Sequence, residues 1–268
     1  MPVIIASGFT GTAQPLSHPR VGWRRWFGTP LFGGNAQDGF SGTNANNERT
    51  DSYWRPASLP ATWELSPPLP PQQSSYVGIA AHTLGSSGCT VEVQTFVIND
   101  WFTIASVVPI DDEPLFFLFA RALRSFMRVR ITGGATMPLI GVIWMGDVTE
   151  WPRPAVYAPS VSFQRAKRSE FAANVTEGGQ IIGRKLVRRE MRPQMAVENL
   201  SEAWVASEFD AFARHAETLP FFVADRPAGY PASVAYAFSD ADLVPERALP
   251  NAAVANSVTL EMRAYRAK

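Results

Sequence analysis

The sequence predicts a mostly β protein built as two sandwich-like parts, the second carrying one packed helix. Three observations lead there. Short apolar runs recur between turn signals along most of the chain, the spacing of a sandwich or jelly roll. The 22 prolines break those runs and disfavour long helices. One segment alone, SEAWVASEFDAFARHAETLP (201–220), carries a helical period.

With 268 residues, 46% of them hydrophobic, the chain can build one large or two ordinary cores, and two are expected. Lys and Arg total 24 and Asp and Glu also total 24, so no overall field draws the chain to nucleic acid or an anionic membrane, and neither is a required partner. Cys89 is the only cysteine, which excludes an intramolecular disulfide, leaves a cysteine zinc site without ligands and suits a reducing cytoplasm. The opening MPVIIASGFTGTAQPL has too short an apolar stretch and no basic flank for a secretory signal, so synthesis in the cytoplasm is expected. PLFFLFA (114–120), closed by Arg121, falls far short of the roughly 20 residues of a membrane-spanning helix.

In chain order, residues 28–50 are rich in Gly and Asn, show no period and read as a long surface loop of the kind that binds something or meets a neighbour. SPPLPPQQSS (66–75) is a stiff connector. YVGIAAHTLG and CTVEVQTF follow as strands, the second alternating Val91 and Val93 with Glu92 and Gln94, and Gly85 to Gly88 supply the positive-φ positions of the reversal between them. WFTIASVVPI (101–110), SFMRVRITG (125–133) and PLIGVIWMGD (138–147) complete an all-β unit over 34–150. Prolines around Trp151 mark a boundary, and residues 1–33 form an N-terminal segment that completes the second unit, 151–268. In that unit VSFQRAKR and the pair QIIGRKLVRRE and PQMAVENL read as strands with basic solvent faces. Ser201 caps a helix over about 201–219 with Val205, Phe209, Phe212, Ala216 and Leu219 inward, and FFVAD, SVAYAFS and SVTLEMRAYR return to strands.

The segments TDSYWRPASLPATWEL (50–65), YVGIAAHTLGSSGCTVEVQ (76–94), WFTIA (101–105), LRSFMRVRITGG and LIGVIWMG (within 123–146) resemble the discoidin or coagulation-factor type-C family, with its galactose-binding-like jelly roll. Trp54, Trp63, Val91, Val93 and Met127 to Ile131 stand at the matching places, over about 110 residues; the terminal cysteine pair of the extracellular members is missing. GGQIIGRKLVRREMRPQ and AFARHAETLPFFVAD resemble the tail-tube-derived domain of distal tail and baseplate proteins of long-tailed phages. The two resemblances together imply a discoidin-like jelly roll beside a tail-tube-like β-sandwich with one α-helix. They also imply a non-enzymatic tail-tip protein of the virion, forming a homo-oligomeric ring through basic hairpins and strand edges. Its partners would be copies of itself, neighbouring tail proteins and a host-surface glycan. The alternative is a stand-alone carbohydrate-binding module or adhesin.

Candidate residues are weighed against plainer roles. His82 and Cys89 suit a nucleophilic pair only with an orienting third group, and a cysteine opening a strand is more simply a buried hydrophobe, so no catalytic residue is assigned. His18 and His215 belong to no spaced ligand set, and neither a metal nor a cofactor is expected. Asp111 to Glu113 suits a solvated turn or a calcium ion. GGQIIGRK lacks phosphate-loop spacing and reads as a hairpin. Arg184, Lys185, Arg188 and Arg189 suit phosphates or, better, acidic groups on an adjoining subunit. Trp23, Arg24, Arg25 and Trp26, next to Phe27, are expected at a protein interface. Tyr53 and Trp54 would form a ligand loop if their rings stand exposed.

Overall fold

The structure, a computed structural model, describes residues 3–33, 36–65, 70–156, 163–247 and 255–267. Its strands are β1 (Val3–Ile5), β2 (Arg20–Arg25), β3 (Leu31–Gly33), β4 (Ala61–Leu65), β5 (Gln72–His82), β6 (Cys89–Val97), β7 (Asp100–Val107), β8 (Leu115–Arg124), β9 (Met127–Gly133) and β10 (Ile140–Glu150). Then come β11 (Lys167–Val175), β12 (Ile181–Met191), β13 (Gln194–Ser201), β14 (Phe221–Ala224), β15 (Val234–Ser239), β16 (Glu246–Arg247) and β17 (Ala255–Ala264). One helix lies between β13 and β14, running through Glu202–Trp204, Val205–Phe209 and Asp210–Ala216. The molecule is mostly β, with sheets packed as sandwiches.

Among the described residues the first sandwich sets the sheet β3-β4-β9-β6-β7 against β1-β8-β5-β10. In β4, β6 and β9 alternate residues are buried, so Trp63, Val91, Val93, Val129 and Ile131 meet Val77, Ile79, Phe117 and Ile143 from the facing sheet. That is the period-2 pattern of a sheet with one wet face. In contrast, β5 and β10 are buried on both sides. Their outer faces, with that of β8, are covered because the sheet continues from β10 through β2 to β14, β15 and β17, and folds back over them. Gly146, where a Cβ would collide with the Arg24 carbonyl, and a register shift after Asp147 sit where β10 meets β2. Tyr76, Phe116, Trp144, Phe222 and Tyr236 then form a core shared by both halves.

This joint corrects the division expected from the prolines. β10 does end at Glu150, but the sheet and the shared core run across the boundary. The N-terminal segment serves both halves: β1 pairs with β8 of the first sandwich, and β2 lies between β10 and β14.

In the second half β13 and β16 flank β17, and Val197, Leu260 and Met262 pack under the helix. Ser201 caps the helix as expected, its hydroxyl accepting the Trp204 N–H, and Val205, Phe209, Phe212 and Ala216 face the core. The turn Val205–Phe209 is a π-turn. Leu219 leaves the stripe because the helix stops at Ala216 before the turn that His215 makes with the Pro220 carbonyl.

Three local expectations change. β12 pairs with β11, whose KRSEFAANV run lacks a simple alternation, and not with β13. Of VSFQRAKR, Phe163–Arg165 is a 3-10 turn, only Lys167 and Arg168 enter β11, and 161–162 lie outside the described residues, as do 66–69 of the proline-rich connector. The 28–50 loop holds β3 and a 3-10 turn, Gly42–Asn46, whose Ala45 reaches the core.

Candidate functional site

The least supported element is the ribbon of β11 and β12. Its strands pair from Lys167 opposite Met191 to Val175 opposite Ile181, with register shifts at Glu170/Phe171 and Asn174/Val175. The turn is closed by Gly179, at φ +80°, and by the Thr176 hydroxyl, which accepts the Gln180 N–H. At about 3.3 Å per residue, β12 reaches roughly 35 Å. The ribbon joins the body where Met191 meets Ala264. Beyond that point nearly all of its described residues are exposed, including Phe171 at 43%, Val187 at 58% and Ile182 at 71%.

A two-stranded hairpin is marginal in water without a surface to pack on, and an open edge strand with exposed apolar groups invites pairing. Arg184 lies 3.4 Å from the Phe171 ring centroid and Arg188 bonds Glu170 at 2.9 Å, contacts that order the ribbon from its own side chains. Exposed ion pairs of this kind are worth at most about 1 kcal/mol. Lys185 and Arg189 form no ion pair among the described residues. The four basic residues read from the sequence therefore stand together on one arm.

The aromatic and basic run of 23–27 lies elsewhere, in and just after β2 at the seam of the two halves. Trp26 is buried, its indole N–H bonded to the Gln73 carbonyl. Trp23 packs on Phe212 and His215 and donates to Thr149 Oγ1. Arg24 pairs with Glu208, while Arg25 pairs with Glu48 and covers the Trp144 ring at 4.7 Å. Each of these four side chains has partners within the chain, and Phe27 is exposed beside them. A buried ion pair fixes the same strand from its start. Arg20 is wholly buried, donates to the carbonyls of Pro15, His18 and Pro19, and lies 3.9 Å from Glu150, which accepts the N–H groups of Ala13 and Gln14.

Trp54 does not present a ring to a ligand. It is buried in the first core, bridged to Ile140 through its backbone. Tyr53 borders a cleft of about 190 Å³ with His82, Asp112 and Tyr265. His82 is buried, its Nδ1 accepting the Leu84 N–H, and burial pushes its pKa down to about 4 despite the nearby Asp112 and Asp111. Cys89 is buried too; its thiol lies 3.9 Å from the Gly133 carbonyl, and burial raises its pKa, the opposite of an activated nucleophile. Asp112 accepts the Ser86 N–H and Asp111 the Glu113 N–H, so both close turns. Burial, then Asp111, raises the Glu113 pKa. No cluster of three or more metal-ligating side chains occurs among the described residues. In the reversal between β5 and β6 only Gly88 has positive φ; Gly85 is required because a Cβ would strike the Asp111 backbone, a long-range approach that turn chemistry does not reveal.

A larger open cleft, about 470 Å³, runs along the flank of the first sandwich, lined by Phe9, Thr10, Ile104, Phe119, Arg121 and Arg124. Arg121 bonds Asp147, and Arg124 bonds the Ser74 carbonyl and hydroxyl.

No family model and no curated protein matches the chain. Solved structures do match part of it. A chitosan-binding module of a chitosanase/glucanase from Paenibacillus sp. IK-5 is 16% identical, covers 44% of this chain and 92% of that one, and gives a TM-score of 0.38. A family 32 carbohydrate-binding module of NanJ from Clostridium perfringens, solved with galactose, is 10% identical over 45% of this chain and 93% of its own, with a TM-score of 0.38. SpGH29 is matched over 45% of this chain at 18% identity and a TM-score of 0.37, and the match spans 27% of its length. These likenesses concern the fold of less than half of the chain.

Proposed function

We propose that this chain is a non-catalytic structural protein that assembles with copies of itself through the β11–β12 ribbon. The observation that carries this reading is an arm that, among the described residues, has no core beneath it, an open edge and exposed apolar side chains. In its finer form the reading is a tail-tip or baseplate protein of a tailed phage: a ring in the virion, with the ribbon meeting the next copy and the jelly roll facing outward. The basic hairpin, the amphipathic helix and the closing strands of the second half support that form. Light scattering and electron microscopy of the purified chain test it. Closed rings of one copy number are expected; a monomer at all concentrations overturns it.

A second reading, a carbohydrate-contact module, is favoured by the cleft beside Phe9, where an aromatic ring, the Thr10 hydroxyl and two guanidinium groups line one open surface. Binding on a glycan array by a chain that stays monomeric would establish this reading over the first.

A further inference from the structure

The ribbon and the body of the second half carry opposite charge. Over 167–191 six Lys and Arg stand against three Glu, whereas over 192–268 seven Lys and Arg stand against ten Asp and Glu. The chain is neutral only as a whole. Beside β17 the segment Phe238 to Glu246 forms a largely exposed seam that mixes apolar and acidic residues, as the ribbon mixes apolar and basic ones. Phe238 and Val244 are 44% and 66% exposed, and Asp242, Glu246 and the outward Glu261 of β17 are exposed too. None of these three carboxylates forms an ion pair among the described residues, although Glu261 accepts a bond from Gln194. Arg192 and Arg263 reach the seam but are taken by Asp240 and Glu190, and Arg247 stands at its end.

We infer that the occupant of this seam is the ribbon of a second copy, with Lys185 and Arg189 meeting Asp242, Glu246 and Glu261, and Phe171, Ile182 and Val187 covering Phe238 and Val244. The ribbon leaves its own body beside the seam, where Met191 pairs with Ala264 and Arg192 with Asp240, and runs outward, so the contact is between copies. Arm and seam are different surfaces; the contact is heterologous and repeats from copy to copy, closing a ring when the rotation between copies allows. This inference rests on the ribbon-mediated assembly proposed above, and it names the surface that receives the arm.

The test uses the full chain in three forms: Lys185→Glu with Arg189→Glu, Asp242→Lys with Glu246→Lys, and all four together. Self-association is measured by mass photometry at low and high salt, with thermal unfolding confirming that each form folds. Each pair is expected to weaken association at least tenfold, the four together to restore it, and added salt to weaken the unmodified chain. If the ribbon pair abolishes association while the seam pair leaves it unchanged, or the combined form is not restored, the seam is not the dock, although ribbon-mediated assembly stands. If neither pair has an effect, or the unmodified chain is monomeric, both ideas fall.

Discussion

The Phe222 ring occupies the place where Gly78 would carry a side chain: a Cβ on Gly78 would lie 2.6 Å from it. Phe222 also stacks on Phe116, with centroids 5.9 Å apart and planes 7° from parallel, and meets Trp144 edge-on. This contact lets β14 close over β5 and binds the two halves into one core. Gly78→Ala should therefore destabilise the protein by about 1–3 kcal/mol through overpacking, read as a lower midpoint in chemical denaturation. An unchanged midpoint would mean the halves do not close in this way.

Arg20 and Glu150 hold the loop before β2 onto the end of β10. Burial lowers the Arg20 pKa and Glu150 opposes that shift, the pattern of a buried pair that depends on its partner. Removing one member of such a pair costs about 3–5 kcal/mol. Arg20→Met should fall in that range, and hydrogen exchange at the Ala13 and Gln14 amides should quicken in either Arg20→Met or Glu150→Gln. Exchange at the unmodified rate in both would show that the loop is held by other contacts.

His82 makes stability depend on pH. Its folded pKa, about 4, lies below the ordinary 6.5, so between those values the unfolded chain takes up a proton that the folded one refuses. Stability attributable to His82 is constant above pH 6.5 and declines as pH falls toward 4, by about 3 kcal/mol over the window at 1.36 kcal/mol per unit. His82→Gln should flatten that limb in unfolding curves collected from pH 7 to 4.5. Parallel curves for the two proteins would show that His82 is accessible to a proton in the folded state.

Much of this architecture was legible beforehand. The alternation of Val91 and Val93, and of Val258, Leu260 and Met262, marks one-sided strands, and Ser201 with Val205, Phe209 and Phe212 marks the helix. Such patterns are local, set by a single face meeting a core. The folding back of the sheet was not legible, because it depends on Gly22, Gly78 and Gly146 meeting Tyr76, Phe222 and Arg24, contacts between positions far apart in the chain. The same limit applies to the 23–27 run: Trp and Arg suit an interface, and the sequence does not say that Trp23 and Arg24 reach Phe212 and Glu208 of the second half while Arg25 and Trp26 engage Glu48 and Gln73. Trp54 likewise has the chemistry of a ligand platform and the position of a core residue. The basic ribbon was readable as a hairpin, but its partner strand β11 was not, since its exposed residues follow no burial period.

Cys89, packed against Gly133 and Gly134, should react with a thiol reagent only as fast as the fold opens, and promptly in denaturant. Cys89→Ala should leave assembly unchanged. Rapid labelling of the native protein would contradict the burial of the thiol.

Assembly as proposed turns on the uncovered ribbon. Its most direct test is the mass of the full chain by light scattering, measured beside a form with Phe171→Asp, Ile182→Asp and Val187→Asp, three exposed positions that belong to none of the three cores. A discrete oligomer is expected for the unmodified chain and a folded monomer for the triple form. Identical masses for the two proteins, whether both monomeric or both assembled, would contradict ribbon-mediated assembly.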